Sequence, residues 1–420
     1  MNEAGVVGTS GNASGNTSMS MSEGHGPLAG LKVLDLGTMI AGPVACTLLA
    51  DFGAEVIKVE QPGGGDPLRQ IGPFVGDESL YWNVEGRNKK SITVDLRKPE
   101  GQALVRELAT KVDVVVENFR PGTLTAWGLD YAALAAVNPR LVMLSISGFG
   151  QTGPYAQRAA FDRIALAFSG ILHVTGYPDR PPVRPGTTMA DYQAALFGAY
   201  AVMMALYHRD AKGKGGQHID LSLYESVFRF TETLAPAYDR FGSVRQRQGN
   251  LAAAAAPGDV FETSDGRYLV LTMSNDAMFG RLCRAMGQAA LADDPRYGSH
   301  RQRWEHVNEL NGMVAEWARS LPVADLEAAL QEAGLAYTLT YTIEDIFADA
   351  HYRARESIQS VDNPRIGSVK MPGVGPRLSA TPAAPIRAAP GLAEHNAEIL
   401  GGWLGLSDVA QQQLRDANVI

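Results

Sequence analysis

Between residues 28 and 147 the chain alternates short β-rich runs with helix-forming ones, and this alternation restricts the fold more than any other feature. Strands are expected near Lys32–Leu36, Glu55–Glu60, Ser91–Leu96, Val112–Glu117 and Leu141–Ile146, with helices near Pro43–Phe52 and Pro99–Thr110. Strands joined through helices run parallel, with helices on both faces of the sheet. Val112–Val116 and Leu141–Ile146 are almost continuously apolar, as inner strands covered on both sides must be. Pro99 followed by Glu100 is a first-turn proline with an acidic residue beside it, a helix start.

From about Gly242 the pattern changes. The Asp265-Gly266 pair between Val260–Thr263 and Tyr268–Met273 predicts an antiparallel hairpin, and helical patterns follow near 276–286, 301–318 and 322–334. This reads as a smaller α+β domain set into the chain. From about Ile343 the sequence is rich in proline (364, 372, 376, 382, 385 and 390), then closes with helices near 392–404 and 407–416 that should wrap the first domain. The organisation expected is a leader over 1–26, the first part of a large domain over 27–220, a linker over 221–245, the small domain over 246–340, and a return linker with the rest of the large domain over 341–420.

A chain of 420 residues is too long for one core of ordinary size. Its 45% hydrophobic and 20% charged residues belong to a globular protein, and a net charge of −8 repels nucleic acid and anionic membrane. Residues 1–26, rich in Gly, Ser, Asn and Met, carry no Lys or Arg and no apolar run, so they read as disordered rather than as a signal peptide. The longest apolar stretch, Ala194 to Tyr207, is interrupted by Gly198 and falls short of the roughly 18 to 20 residues of a membrane span, so a buried helix is expected. Cys46 and Cys283 form neither a disulfide framework nor a thiolate zinc motif, which favours a reducing, cytoplasmic setting.

Gly148, Gly150 and Gly153 spell G-x-G-x-x-G after a strand. A dinucleotide fingerprint opens the first βα unit and runs into a helix, whereas this one follows the last strand of the series and meets Pro154, so a ligand-holding loop is the better reading. No phosphate-binding loop, H-E-x-x-H or G-x-S-x-G is present, and the eight histidines are scattered. Asp191 heads the apolar helix expected from Tyr192. It is either a helix cap or a carboxylate held charged and aimed by backbone N–H groups, and composition alone leaves both open.

The segments LAGLKVLDLGTMIAGPVACTLLADFGAEVIKVEQPGGGDPLR, GRNKKSITVDLRKPEG, DVVVENFRPGTLTAWGLDY, NPRLVMLSISGFGQTGP, FDRIALAFSGILHVTG, PPVRPGTTMAD and GKGGQHIDLSLYES, with the closing P-x-L-x-E-H-N-A-E-I-L pattern, resemble the class III CoA-transferase family, which also includes α-methylacyl-CoA racemases. The resemblance runs in register over about residues 27 to 420. It implies a Rossmann-like large domain interrupted by a smaller one, in an interlocked homodimer that binds CoA as a substrate and needs no metal, nicotinamide or flavin. It also implies that an aspartate takes the donor acyl group as a mixed anhydride, becomes a CoA thioester, and passes CoA to an acceptor acid. Asp191 matches that aspartate, and Asp162 matches a second acidic position that would orient groups in the site.

Positions similar to the family's CoA contacts are Met39, Ile40, Ala41, Gln61, Val94, Arg97, Asn118, Phe119, Arg120 and Phe161. Arg97 and Arg120 would meet phosphates, with a solvated surface charge as the plain alternative for each. Gln61, Ala126 and Ala159 stand where formyl-CoA relatives carry cations, Ile40 replaces a glutamine, and Gly249-Asn250-Leu251 with an alanine run replaces a glycine-rich substrate loop, which argues against oxalate and formate. The RNKKSI and PPVRPG stretches look most like members that use succinyl-CoA and other dicarboxylates, and Arg184 would hold a distal carboxylate or form a structural ion pair. The alternative activity is racemisation, which needs a histidine before Asp162, and this chain has Phe161 there. A non-catalytic CoA-binding protein would have lost the nucleophile, and Asp191 is present.

Overall fold

The computed structural model describes residues 25–252 and 254–420, so residues 1–24 of the expected leader lie outside the described residues. The chain runs β1 (Lys32–Asp35), α1 (Ala41–Ala50), β2 (Glu55–Glu60), β3 (Lys89–Thr93), α2 (Pro99–Ala109), β4 (Val114–Glu117), β5 (Val142–Ser147), α3 (Asp162–Phe168), α4 (Met189–Ala211) and β6 (His218–Ser222). These strands form one parallel sheet in the order β3-β2-β1-β4-β5-β6. Leu34 pairs with Ile57 on one side and Val115 on the other, and Val116 pairs with Leu144.

Alternation along the strands sends side chains to two cores. Val33, Val114, Val116, Leu144 and Ile146 pack with α1 and α4 through Val44, Leu49, Ala194 and Val202. Leu34, Ile57, Ile92, Val115 and Met143 pack with α2 and with Ile399, Leu400, Val419 and Ile420 from the far end of the chain. The glycine inside the apolar stretch has a packing reason: a Cβ at Gly198 would lie 2.8 Å from Leu144 Cδ2, so glycine lets α4 settle onto β5.

The hairpin forms as β7 (Gly258–Glu262) and β8 (Tyr268–Thr272), antiparallel, and β9 (Tyr337–Leu339) adds to the open side of β8. Phe261, Leu269, Leu271, Leu282, Val314, Leu326 and Leu330 make a separate apolar cluster beneath them. The single helix expected over 301–318 is instead two, His300–Glu305 and Val307–Arg319, broken at His306. The proline-rich return segment holds an antiparallel hairpin, Ile358–Asn363 with Gly367–Pro372, which the loop reading missed. The chain then returns to the large sheet: Thr93 N donates to Asn396 Oδ1 at 2.9 Å and Asp95 N to Val419 O at 2.7 Å. Among the described residues no helix is long and apolar enough to cross a membrane.

Candidate active site

From β1 the chain builds outward through β2 to β3, then crosses back to β4, so the strand order reverses between β1 and β4. The carboxyl ends of strands at such a reversal diverge and leave a crevice, where open α/β sheets hold ligands. Two adjoining cavities open there and share Thr38. The first, about 140 Å³, is lined by Met39, Ile40, Ala41, Asn118, Phe161 and Asp191, together with Ser147, Gly148 and Leu223. The second, about 150 Å³, is a slot walled by Gln61, Val94, Leu96, Arg97, Phe119 and Trp127. Phe119 and Trp127 meet edge to face at 5.4 Å.

The loop between β1 and α1 is held by buried polar groups. Asn118 clamps the Thr38 backbone with both ends of its amide, accepting from Thr38 N at 2.7 Å and donating to Thr38 O at 2.8 Å. Met39 has φ +64°, an uncommon conformation for a side chain of its size, and its N–H donates to Asp66 Oδ1 at 3.1 Å. Asp66 in turn pairs with Lys58 at 3.0 Å. Asp35 pairs with Lys58 at 3.6 Å and with Lys89 at 3.0 Å, while Lys89 also donates to Pro43 O at 2.6 Å. All four charged groups are buried. Burial alone would depress the Lys58 pKa, but Asp35, Asp66 and Glu60 outweigh it and raise it. Asp66 is drawn down, with Lys58 and the amides of Leu68 and Met39 prevailing over burial.

Asp191 is not the helix cap. α4 starts three residues before Tyr192, so Asp191 lies inside the first turn, Thr188 occupies the cap position without a side-chain capping bond, and the Ala190 N–H donates to Asp162 Oδ1 at 2.7 Å. The backbone donor thus goes to buried Asp162, and Asp191 is left half-buried beside it. Burial first, and then the charge of Asp162, push the Asp191 carboxyl up to about 7. Asp162 reaches α4 because Gly148 allows close approach of the preceding residues: a Cβ at Gly148 would lie 2.2 Å from that of Ala160. Of the three loop glycines only Gly148 lines the cavity. Phe161, 76% exposed, sits at its mouth.

The two arginines part company. Arg97 borders the slot with its guanidinium largely exposed, and its bonds hold Asp95 down to about 2. Arg120 lines neither cavity; it donates to Gln157 O and borders a polar hollow with Glu117, Ser145, Gln151 and His218. Burial pushes Glu117 in that hollow up to about 7. Arg184 donates to the carbonyls of Pro185 and Thr187 in its own loop, at 2.9 and 3.3 Å, and borders neither cavity. Sequence reasoning missed Ser147, Asp66 and the clamping role of Asn118; only a lysine inside the apolar strand EVIKVE hinted at a buried ion network.

The profile of CoA-transferase family III matches residues 28–396. The succinyl-CoA–D-citramalate CoA-transferase of Chloroflexus aurantiacus is 46% identical over 94% of this chain and 98% of its own length. The beta subunit of the succinyl-CoA–L-malate CoA-transferase of the same organism is 44% identical, also over 94% of this chain and 98% of its own. The crystal structure of a CAIB/BAIF family protein from Brucella suis superposes with a TM-score of 0.80 at 36% identity, covering 90% of this chain and 99% of that one.

Proposed function

The chain belongs to CoA-transferase family III, and from that premise we propose that it moves CoA from succinyl-CoA to a second dicarboxylic acid through a covalent relay on Asp191. The observation that carries this reading is a half-buried carboxyl, pushed up to about 7, in an otherwise largely apolar cavity at the strand reversal. A carboxylate in such a place is weakly solvated and more basic than usual, which makes it a better nucleophile. It attacks the thioester carbonyl, the C–S bond breaks, and CoA leaves as thiolate. The thiolate then attacks the Asp191 carbonyl of the resulting anhydride, releasing succinate and leaving CoA on the enzyme. The acceptor carboxylate repeats the sequence in reverse and leaves as acyl-CoA.

In this reading the slot between Phe119 and Trp127 takes the adenine, Arg97 meets phosphate at its rim, and pantetheine passes Thr38 to bring the thioester to Asp191. Met39, Ile40 and Ala41 shape the acyl end. Racemisation is disfavoured because Phe161 offers no proton-accepting group at the cavity. The substrates for which these relatives are named, citramalate and malate, support a dicarboxylate acceptor here. The outer side of α4 leaves Leu196, Tyr200, Met203, Met204 and Tyr207 exposed, and we place a second copy of the chain on it, the small domain being inserted in the large one. Both cysteines are free thiols, in keeping with a cytoplasmic enzyme.

The test is to incubate the protein with succinyl-CoA and no acceptor, trap activated carboxyl groups with hydroxylamine, and map the peptides. The mark is expected on Asp191, and Asp191→Asn should fold but neither label nor turn over. A mark on Asp162, or full turnover by the Asn variant, would remove the assignment. Sedimentation checks the association, for which a particle of one 44.9 kDa chain with full activity is the contrary result.

A further inference from the structure

Ser147 ends β5 on the cavity that holds Asp191, and it is only 6% exposed. Among the described residues its Oγ is buried without a hydrogen-bond partner. Two residues earlier on the same strand, Ser145 Oγ lies 2.9 Å from His218 Nε2, so the neighbouring hydroxyl is satisfied while this one is not. A buried hydroxyl left unpaired has lost its water without gaining a partner, which destabilises the fold. Alanine would avoid that cost, yet serine is the residue here, in a cavity lining it shares with Met39, Ile40, Ala160, Phe161 and Leu223. Its strand is paired on both sides, with β4 as far as Ser145 and with β6 through Ser147–Ser222, so the backbone that carries the hydroxyl is fixed before any substrate arrives.

We propose that Ser147 is a catalytic residue whose hydroxyl donates a hydrogen bond to the carbonyl oxygen of the acyl thioester as Asp191 attacks it. The inference rests on the Asp191 reading. As the new C–O bond forms, the carbonyl π pair moves onto oxygen. The Ser147 hydrogen bond then strengthens on the oxyanion, and when the C=O reforms the C–S pair leaves with the thiolate. No proton is transferred, so the serine needs no base. A fixed neutral donor in an apolar cavity favours the charged intermediate over the uncharged thioester, which is the condition for catalysis.

Ser147→Ala and Ser147→Thr are compared with the wild type by rapid mixing with succinyl-CoA, quenching, and following the hydroxylamine mark on Asp191. The alanine variant should acquire the mark about 10²-fold more slowly, while threonine, which keeps the hydroxyl, should stay within about tenfold of wild type. Because the hydroxyl has no partner in the free protein, the alanine variant should melt no lower than wild type. An undiminished rate in the alanine variant overturns this inference alone, and so does a lower Tm with no rescue by threonine. A loss confined to hydroxylated acceptors such as malate, with glutarate spared, also overturns it, because the serine would then be reading the acceptor. Failure of the wild type to mark Asp191 at all overturns the underlying reading with it.

Discussion

Asp162, from the first turn of α3, accepts the Ala190 N–H of α4 at 2.7 Å, one residue before Asp191. One carboxylate therefore takes the role a cap residue would have taken and leaves the next one without a backbone donor. Their separation of tasks raises the basicity of the second: the charge of Asp162 adds to burial in lifting the Asp191 pKa.

The acid limb of kcat/KM should reflect this pair. In the wild type the rate should rise with pH through about 7, because only the ionised Asp191 attacks. Asp162→Asn keeps an oxygen for Ala190 but removes a negative charge, so the Asp191 pKa falls and the limb should move to lower pH. A limb that stays in place would show that burial alone sets it.

Asp191 also costs stability. Its folded pKa, about 7, lies above the ordinary aspartate value of about 3.9, so the folded state holds the proton more tightly, and stability falls as pH rises from about 4 to about 7. The penalty is full above that window and absent below it. Asp191→Asn should thus be more stable than wild type at pH 8, by about 1–4 kcal/mol, with the difference shrinking towards pH 4. Urea unfolding at the two pH values measures it; a variant less stable at pH 8 would contradict the account.

Lys58→Met tests the network under the β1–α1 loop. It leaves Asp66 without its cation while Asp35 keeps Lys89, so a loss of about 3–5 kcal/mol is expected. CoA affinity should fall in the variant as well, because Asp66 holds Met39 in place. Unchanged unfolding would mean that the buried carboxylate takes up a proton at no cost.

The arginines should separate in calorimetric titration with CoA. Arg97→Ala should weaken binding about 10- to 100-fold, the worth of a charge-assisted bond. Arg120→Ala, whose guanidinium is engaged with Gln157 and borders another hollow, should change it by less than about threefold. The reverse ranking would move the phosphates to the other side of Phe119.

What the sequence revealed of the fold followed from periodicity, and what it revealed of the site followed from the family resemblance. β2 has the expected bounds, Glu55–Glu60, and α2 ends one residue short, because patterning and the Pro99 start act locally. Asp191, Met39, Ile40, Ala41, Asn118 and Phe161 do gather around one cavity, and Gln61, Val94, Arg97 and Phe119 around the next. The features that escaped are those no local pattern encodes. The partner of the Ala190 amide comes from a segment 28 residues away, and the pairs of Lys58 and Lys89 meet only after three strands align. The hairpin at Ile358–Asn363 hid behind its prolines, the last of which, Pro372, terminates its second strand.

The covering of the sheet's second face by Ile399, Leu400, Val419 and Ile420 bears on how the chain is made. Every strand of the large sheet has been synthesised by residue 222, yet Leu34, Ile57 and Ile92, covered in part by α2, wait for the rest of their apolar cover until roughly two hundred further residues have been synthesised. Contacts of such high sequence separation form late and slowly. The nascent chain therefore passes through a long interval in which a nearly complete parallel sheet lacks its final cover, and it is in that interval, rather than after folding, that chaperones and aggregation compete for it.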